Sequence, residues 1–339
     1  MIRFADFLFT VRLRLMLVLI AALTSVSSCD SLIYDDQGDC NPYYKVRFKY
    51  DMNMKWADAF SNEVNEVTLY VLDDNGRIVW SKHETGATVK ADGYMMDVPV
   101  APGTYTLIAW CGEGHTTSFS VDKDDLDCTL LRDHTSDGKA YIKHDINRLY
   151  HGTLEAQEFP EQEGVHIYTV PLVKNTNDVH VVLQHLSGEP VDKDKFTFTI
   201  TSDNGSMAKD NNLRPDETII YYAWHTEQGE AEIFHPAPEV RSSSSFSAAV
   251  AELTVARLIE GNDTRLTIYN DKSEIVLSIP LIDYCLMVKG YHNRNMSNQE
   301  YLDRQDNYNL TFFLDEGNRW VNSYIYINSW KVILQNSDI

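Results

Sequence analysis

Histidines and carboxylates are the side chains of this sequence that could carry acid–base or metal chemistry. Among its eleven histidines, His144 and His151 are seven residues apart and His180 and His185 are five apart. Neither pair has the further ligands at fixed spacing that a zinc site requires. The motifs HExxH, GxSxG, CxxC and the P-loop do not occur. The sequence therefore predicts no metal, no cofactor and no enzyme activity.

An acidic run at residues 122–127 places carboxylates in the alternating order of the first half of a calcium loop. It lacks the glycine and the distal glutamate of an EF-hand loop. We interpret it as a solvated acidic turn, with an adventitious Ca2+ site as the alternative. A carboxylate pair for glycoside hydrolysis can come from any part of a β fold, and no residues in the sequence point to such a pair.

The N-terminus reads as an export signal. Three arginines precede an apolar run at residues 15–23, which is too short to span a bilayer as a helix and is typical of a secretory signal. Residues 26–29, Val-Ser-Ser-Cys, resemble a bacterial lipoprotein signal, which implies that Cys29 carries acyl chains such as palmitate and becomes the first mature residue. The alternative is an ordinary signal peptide whose Cys29 enters a disulfide.

The stretch after Cys29 is predicted to be a tether. Residues 30–41 are polar and acidic, and acidic residues close behind the lipidated cysteine resemble the surface-export signals of Bacteroidetes lipoproteins. The resemblance implies a lipid-anchored protein on the outer face of the outer membrane. We therefore predict a signal peptide at residues 1–28 and a lipidated tether at residues 29–42.

Four further cysteines, Cys40, Cys111, Cys128 and Cys285, allow three complete pairings. Passage through an oxidising compartment permits a bridge. Cys111 and Cys128 are a candidate disulfide, which would close a loop of sixteen intervening residues and stabilise the fold by about 3 kcal/mol. Cys285 lies among apolar residues and is predicted to be a buried free thiol.

The charge of the chain excludes some partners. The sequence has 339 residues, 29 Lys+Arg and 50 Asp+Glu, for a formal charge of -21. Nucleic-acid binding requires a cationic face, so no nucleic-acid partner is predicted. The same charge repels an anionic bilayer, so the membrane is expected to be reached through the lipid on Cys29.

Strand periodicity dominates the mature chain. From residue 44 onward apolar and polar residues alternate with a period of two, as in strands with one buried face. Residues 44–50 predict the first strand, residues 56–63 predict a short helix, and Asn75 and Gly76 predict the turn of a hairpin. A dozen or more short strands with few helices predict an all-β fold of two tandem antiparallel β-sandwich domains.

The boundary between these domains is predicted from composition. Residues 155–164 are rich in glutamate and contain a proline and a glycine, as linkers commonly do. This places the N-terminal β-sandwich at residues 43–157 and the C-terminal β-sandwich at residues 158–339.

From about Cys40 to Ile339 the chain resembles the FimB/Mfa2 fimbrial anchor lipoproteins of Bacteroidales, found at the base of type V pili. The resemblance rests on structural motifs of moderate specificity and implies two transthyretin-like β-sandwiches. These motifs are Gly38-Asp39-Cys40, Val46-Arg47-Phe48-Lys49-Tyr50 with residues 51–60, residues 63–80, Pro102-Gly103-Thr104-Tyr105-Thr106 with Ala109-Trp110, Leu149-Tyr150-His151-Gly152, and Ile327-Asn328-Ser329-Trp330-Lys331-Val332.

The resemblance implies an anchor that also ends polymerisation. Shaft subunits of such pili lose their N-terminal strand to an Arg-specific protease and then accept a strand from a neighbour. Here no arginine lies between Cys29 and Val46, and Arg47 is in the middle of the predicted first strand. The strand at residues 44–50 and the lipid should therefore be retained, and residues 324–334 should contact the adjoining shaft subunit.

Two alternatives remain open. A shaft or tip fimbrillin of the same superfamily would begin well after Cys29 in its surface form. A surface glycan-binding lipoprotein would use exposed aromatic rings, and the chain has six tryptophans, although packing in the core also accounts for alternating aromatics.

Overall fold

Strands are the main secondary structure of the computed structural model, which describes residues 41–113, 118–232, 245–290, 293–322 and 324–333. The first twelve strands are β1 (Pro42–Lys49), β2 (Glu66–Leu72), β3 (Ile78–Thr85), β4 (Met96–Asp97), β5 (Gly103–Gly112), β6 (Phe119–Val121), β7 (Cys128–Leu130), β8 (Asp133–His134), β9 (Ala140–Ile142), β10 (Leu149–Phe159), β11 (Gly164–Pro171) and β12 (Val173–Lys174).

The remaining strands are β13 (Thr176–His185), β14 (Phe196–Ser202), β15 (Ser206–Met207), β16 (Ile219–Tyr222), β17 (His225–Glu232), β18 (Ser245–Ala256), β19 (Arg265–Asn270), β20 (Ile275–Pro280), β21 (Asn307–Leu314), β22 (Tyr324–Ile327) and β23 (Trp330–Ile333). The helices of the described residues are short: α1 (Phe60–Glu63), α2 (Leu281–Met287), α3 (Asn298–Arg304) and a 3-10 turn at Lys193–Lys195. The predicted all-β fold with short helices is confirmed.

The first sandwich consists of two sheets. Sheet A has the strand order β11-β1-β4, and sheet B has the order β12-β10-β5-β2-β3. Alternate side chains from both sheets meet in the first core, as the period of two requires. Members of this core include Tyr44, Val46, Phe48, Val67, Leu69, Val71, Leu107, Ala109, Cys111, Phe159, Val170 and Leu172.

The second sandwich is larger. Sheet C has the order β17-β18-β13-β21-β22-β23, sheet D has the order β20-β19-β14-β16-β9-β8, and a small sheet, β15-β7-β6, lies beside them. Three of the strand pairs in the described part of the chain are parallel, namely β1 with β11, β13 with β21 and β16 with β9. The antiparallel prediction therefore describes most pairs, and these three arise because the chain returns to a sheet through long crossovers.

Strand β5 faces both cores. Its residues Leu107, Ala109 and Cys111 point into the first core, whereas Ile108 and Trp110 belong to the second core. Burial on both faces explains why residues 107–111 form an unbroken apolar run rather than an alternating one. Sheet B is thus shared between the two sandwiches.

The two cores do not divide at residues 157/158. Strand β11 pairs with β1 over its full length, so residues 164–172 complete the first core. Residues 119–149 contribute instead to the second core. The glutamate-rich segment predicted as a linker is the end of β10 and the turn into β11. Its composition reflects an exposed turn, which sequence alone does not distinguish from a linker.

One glycine of the predicted motifs allows the sheets to approach closely. A Cβ atom on Gly152 would lie 2.5 Å from a methyl of Val170 and 2.6 Å from the carbonyl oxygen of Pro171. Both distances are well below ordinary contact, so a side chain at this position of β10 would push β11 away. Glycine at residue 152 therefore maintains the packing of sheet A on sheet B.

Candidate functional site

Strand β1 fills the position between β11 and β4 in sheet A of the first sandwich. Its side chains Tyr44, Val46 and Phe48 are buried in the first core. The pairing with β11 is continuous from Pro42 opposite Gly164 to Lys49 opposite Pro171, while Lys45 and Val46 also pair with β4. The strand predicted at residues 44–50 is therefore an integral part of the sheet.

Aromatic contacts hold both ends of β1. The rings of Tyr44 and Phe159 are 4.7 Å apart, and the Tyr44 hydroxyl donates a 2.7 Å hydrogen bond to the carbonyl of Pro160. Near the other end, Phe48 stacks on Phe60 of α1 at 5.9 Å. Large buried aromatic side chains contribute substantially to core stability, so removal of β1 would expose much apolar surface.

The outer face of β1 is basic. Lys45 pairs with Asp97 at 2.7 Å, and Lys49 pairs with Asp51 at 2.6 Å, an interaction that raises the pKa of the Lys49 ammonium. Arg47 projects from the same face, is exposed and has no ion pair among the described residues. Its main chain lies within the β1–β11 pairing opposite Thr169, so the peptide bond at Arg47 is held in a sheet.

A buried polar cluster joins the first sandwich to the second. The Lys174 ammonium lies 2.8 Å from Asp306 and 3.8 Å from Glu63. The Tyr150 hydroxyl donates a 2.8 Å hydrogen bond to Glu63. Burial, together with this carboxylate, raises the pKa of Tyr150. Because the buried Lys174 ammonium lies close to Glu63 of the first sandwich and Asp306 of the second, the cluster helps to hold the two sandwiches in position relative to each other.

The C-terminal strands lie at the edge of sheet C. Strand β22 pairs with β21, and β23 pairs with β22 through Ile327 opposite Trp330 and Ile325 opposite Val332. Ile325 and Ile327 are buried, whereas Trp330 is 66% exposed. Both strands, Tyr324–Ile327 and Trp330–Ile333, lie within residues 324–334, the segment expected to contact a shaft subunit.

The candidate disulfide between Cys111 and Cys128 is absent from the structure. Both residues are buried free thiols. Cys111 points into the first core and Cys128 into the second, so sheet B lies between the two side chains. Burial raises the pKa of Cys128 to about 12. Cys285 is also a buried free thiol, whereas Cys29 and Cys40 lie outside the described residues.

The histidines that the structure describes and the acidic run lie apart from one another. In the described part of the chain there is no group of three or more His, Cys, Asp or Glu able to hold a metal ion. The Asp122 carboxylate instead accepts hydrogen bonds from the backbone of Asp124, and Asp125 does the same for Asp127. His151 is buried and donates through Nε2 to the carbonyl of Lys209 at 2.9 Å.

The sequence pattern did not show which aromatic rings are exposed in the fold. Trp56, within the predicted helix at residues 56–63, lies in a turn with a φ of 54°, and it is 60% exposed. The observed helix, α1, begins only at Phe60. No sequence signal separated Trp56 and Trp330 from the buried Trp110. Among the described residues no helix is long and apolar enough to cross a membrane.

The fold and β1 together define a protein of two β-sandwiches whose first described strand is paired within its own sheet. A family model described as fimbrillin-A associated anchor proteins Mfa1 and Mfa2 matches residues 37–336. The chain belongs to this family of fimbria-associated proteins. Comparison with curated protein sequences found no match.

Several solved structures share the fold of this chain. A candidate adhesin from Bacteroides thetaiotaomicron is 31% identical, with a TM-score of 0.75, and the match covers 88% of this chain and 100% of that one. A candidate polysaccharide-binding protein from the same species is 30% identical, with a TM-score of 0.73, coverage being 87% and 98%. The fimbrial anchor protein Mfa2 from Porphyromonas gingivalis shares the fold at 15% identity, with a TM-score of 0.63 and coverage of 87% and 99%.

Proposed function

We propose that the chain is an outer-membrane lipoprotein that anchors a fimbria to the cell surface and ends its polymerisation. The observation that carries this proposal is the position of β1. All eight of its residues pair with β11 in the first sandwich. The groove between β11 and β4 is already filled by the chain's own strand, so a strand from another subunit cannot enter there. Growth of the fibre would therefore stop at this protein.

Attachment would come from the lipid on Cys29. No arginine occurs between Cys29 and Val46, so an Arg-specific protease has no site upstream of β1. The tether that links β1 to Cys29 would stay intact, and two or more acyl chains hold a protein durably in a bilayer. A fibre joined to this protein would thus be joined to the membrane.

Contact with the shaft subunit is assigned to β22 and β23. They form the last hairpin of the described chain, and β23 leaves one edge of sheet C unpaired within that part. Unpaired edges recruit strands from other chains, and the exposed ring of Trp330 provides apolar area beside the edge. The partner would be a fimbrial shaft subunit, and no nucleic acid or cofactor is involved.

Replacement of Cys29 tests the anchor in cells. Cys29→Ala should produce fibres that are shed into the medium or abnormally long, because the base is no longer held. Cys40→Ala is the matched control and should leave fibre number and attachment unchanged. Electron microscopy with quantification of fibre protein in the medium measures both. Attached fibres of normal length in the Cys29→Ala strain would contradict the proposal.

Trp330 tests the contact with the shaft. Trp330→Ala should reduce capture of shaft subunits about tenfold or more, as removal of a large aromatic residue from an interface does. Trp56→Ala, which removes a ring of similar exposure elsewhere, is the control. Equal capture by the two variants would exclude the hairpin as the docking strand.

Glycan binding is the second candidate function. It is favoured by the exposed Trp56 ring, one face of which lies over the Arg304 guanidinium, and by the relative described as a candidate polysaccharide-binding protein. Affinity electrophoresis against a polysaccharide panel tests it. Retardation that Trp56→Ala abolishes would support glycan binding, and unchanged mobility in every gel would exclude it.

A further inference from the structure

Strand β11 is an edge strand without the usual protection. Within the described residues it pairs only with β1, and it ends sheet A. It is eight residues long, Gly-Val-His-Ile-Tyr-Thr-Val-Pro, and contains no Lys, Arg, Asp or Glu. Its register with β1 runs without a bulge. A long, regular and uncharged edge is a template for an additional strand.

In the described part of the chain the other edges, apart from the one at β23, are charged, short or irregular. Strand β3 includes the charged pair Lys82 and Glu84, and β17 reads His-Thr-Glu-Gln-Gly-Glu-Ala-Glu. Strands β4, β8 and β12 have two residues each. Strand β20 has six residues and lies beside a register shift between Ile268 and Tyr269 of β19. The contrast with β11 indicates that its edge is kept open for pairing.

The outer row of β11 is apolar and exposed. Val165 is 57% exposed and Ile167 is 48% exposed, and Thr169 follows them on the same face. The neighbouring row of β1 places Tyr43 beside Val165 and Arg47 beside Thr169. The short Thr169 side chain leaves room for the Arg47 guanidinium to extend across β11. A strand added to the free edge would lie about 10 Å from β1, within the combined reach of arginine and glutamate side chains.

We infer that the free edge of β11 binds an extended segment of a partner protein by strand addition. The outward side chains of that segment are apolar opposite Val165 and Ile167 and acidic opposite Thr169. Main-chain hydrogen bonds to β11 supply affinity, and the apolar pair with the Arg47 ion pair fixes the register. This edge is separate from the groove filled by β1, and the inference does not depend on lipidation of Cys29.

A synthetic peptide tests the inference on the mature chain carrying Cys29→Ser. The probe is fluorescein-labelled Thr-Glu-Thr-Ile-Thr-Val-Thr, which places its glutamate opposite Thr169 when it runs antiparallel to β11. Fluorescence anisotropy should show saturable binding. The same peptide with alternate amides N-methylated should not bind, because it lacks the main-chain donors. Equal binding of the methylated peptide would overturn the inference.

Matched variants locate the site. Ile167→Lys places a charge on the exposed row of β11 and should weaken binding at least tenfold, whereas Ile275→Lys makes the same change at the 63%-exposed Ile275 of β20 and should have no effect. Arg47→Glu should weaken binding of the glutamate peptide. The same variant should bind a peptide in which lysine replaces that glutamate. Undiminished binding to Ile167→Lys, or absence of binding to the folded chain, would overturn the inference.

Two other occupants give distinct results. A concentration-dependent dimer in sedimentation that Ile167→Lys converts to a monomer would assign the edge to a second copy of the chain. Peptide binding by a chain that begins at Asn41, together with none by the full mature chain, would assign it to residues 30–40. Either result would replace the partner segment proposed here.

Discussion

The guanidinium carbon of Arg304 lies 3.6 Å from the centre of the Trp56 ring. Arg304 is buried in α3, pairs with Glu300 at 2.9 Å and donates a 3.0 Å hydrogen bond to the carbonyl of Asp51. Because Asp51 and Trp56 follow β1, whereas α3 precedes β21, this one side chain connects the loop after β1 to the second sandwich.

Removal of Arg304 should destabilise the protein much more than removal of Trp56. Arg304→Ala deletes buried charge-assisted hydrogen bonds and should lower the free energy of unfolding by about 3 kcal/mol. Trp56→Gly loses the exposed stacking contact, about 0.5–1 kcal/mol, but relieves a positive φ that costs a tryptophan about 1–2 kcal/mol. Urea unfolding measures both. Similar losses in the two variants would contradict this assignment.

His151 should make stability depend on pH. Burial against Trp110, whose ring centre is 4.4 Å away, lowers the pKa of His151 to about 4. Since the unfolded chain has a histidine pKa near 6.5, it binds the proton more readily than the folded chain between these values. The contribution of neutral His151 to the free energy of unfolding is complete above about pH 6.5. It decreases by about 3 kcal/mol as the pH falls toward 4.

The measurement is a comparison of unfolding free energies of the natural chain and His151→Asn at several pH values. Carboxylates titrate in both proteins, so the difference between the two curves isolates the histidine. The gap should change by a few kcal/mol between pH 7 and pH 4. Parallel curves would show that His151 titrates alike in the folded and unfolded states.

The buried cysteines should be unreactive in the folded protein. In a chain with Cys29→Ser and Cys40→Ser, iodoacetamide should modify none of the three thiols described as free and buried. Burial raises their pKa values and blocks the reagent. All three should react in guanidinium without a reductant, as counted by mass spectrometry. A single modification under those conditions would reveal a disulfide.

An Arg-specific protease should leave β1 in place. Arg47 is exposed as a side chain, but its main chain is paired with β11, and proteases require an unpaired extended segment. N-terminal sequencing after limited digestion should therefore find the original mature terminus. Val46→Asp is the positive control, because a carboxylate in the first core displaces β1 and exposes the bond. Cleavage after Arg47 in the unaltered protein would contradict the retention of this strand.

Local sequence patterns predicted strand β1 and the β2–β3 turn but did not predict strands β10 and β17. The alternation at residues 44–50 predicted β1, and Asn75 with Gly76 predicted the β2–β3 turn, where Gly76 has a φ of 74°. Strand β10 was missed because a register shift between Leu154 and Gln157 interrupts its period. Strand β17 was missed because both of its faces are polar.

The candidate site was predictable only in part. The expectation that β1 is retained comes from the spacing of arginines in the sequence. Its partner β11 lies more than a hundred residues away, and local patterns do not encode such parallel pairing. The opposite orientations of Cys111 and Cys128 depend on which core each strand faces, and β5 contributes to both.

The parallel register of β1 and β11 also determines how the molecule bears tension. A pull on Asn41 along the strand, opposed by a pull on the second sandwich, acts across the main-chain hydrogen bonds that join β1 to β11. The hydrogen bonds that residues 42–49 make with β11 are then loaded together in shear, whereas a pull across the strands would break them one at a time. The terminus that leads to Cys29 is thus joined to the fold in its mechanically stronger direction.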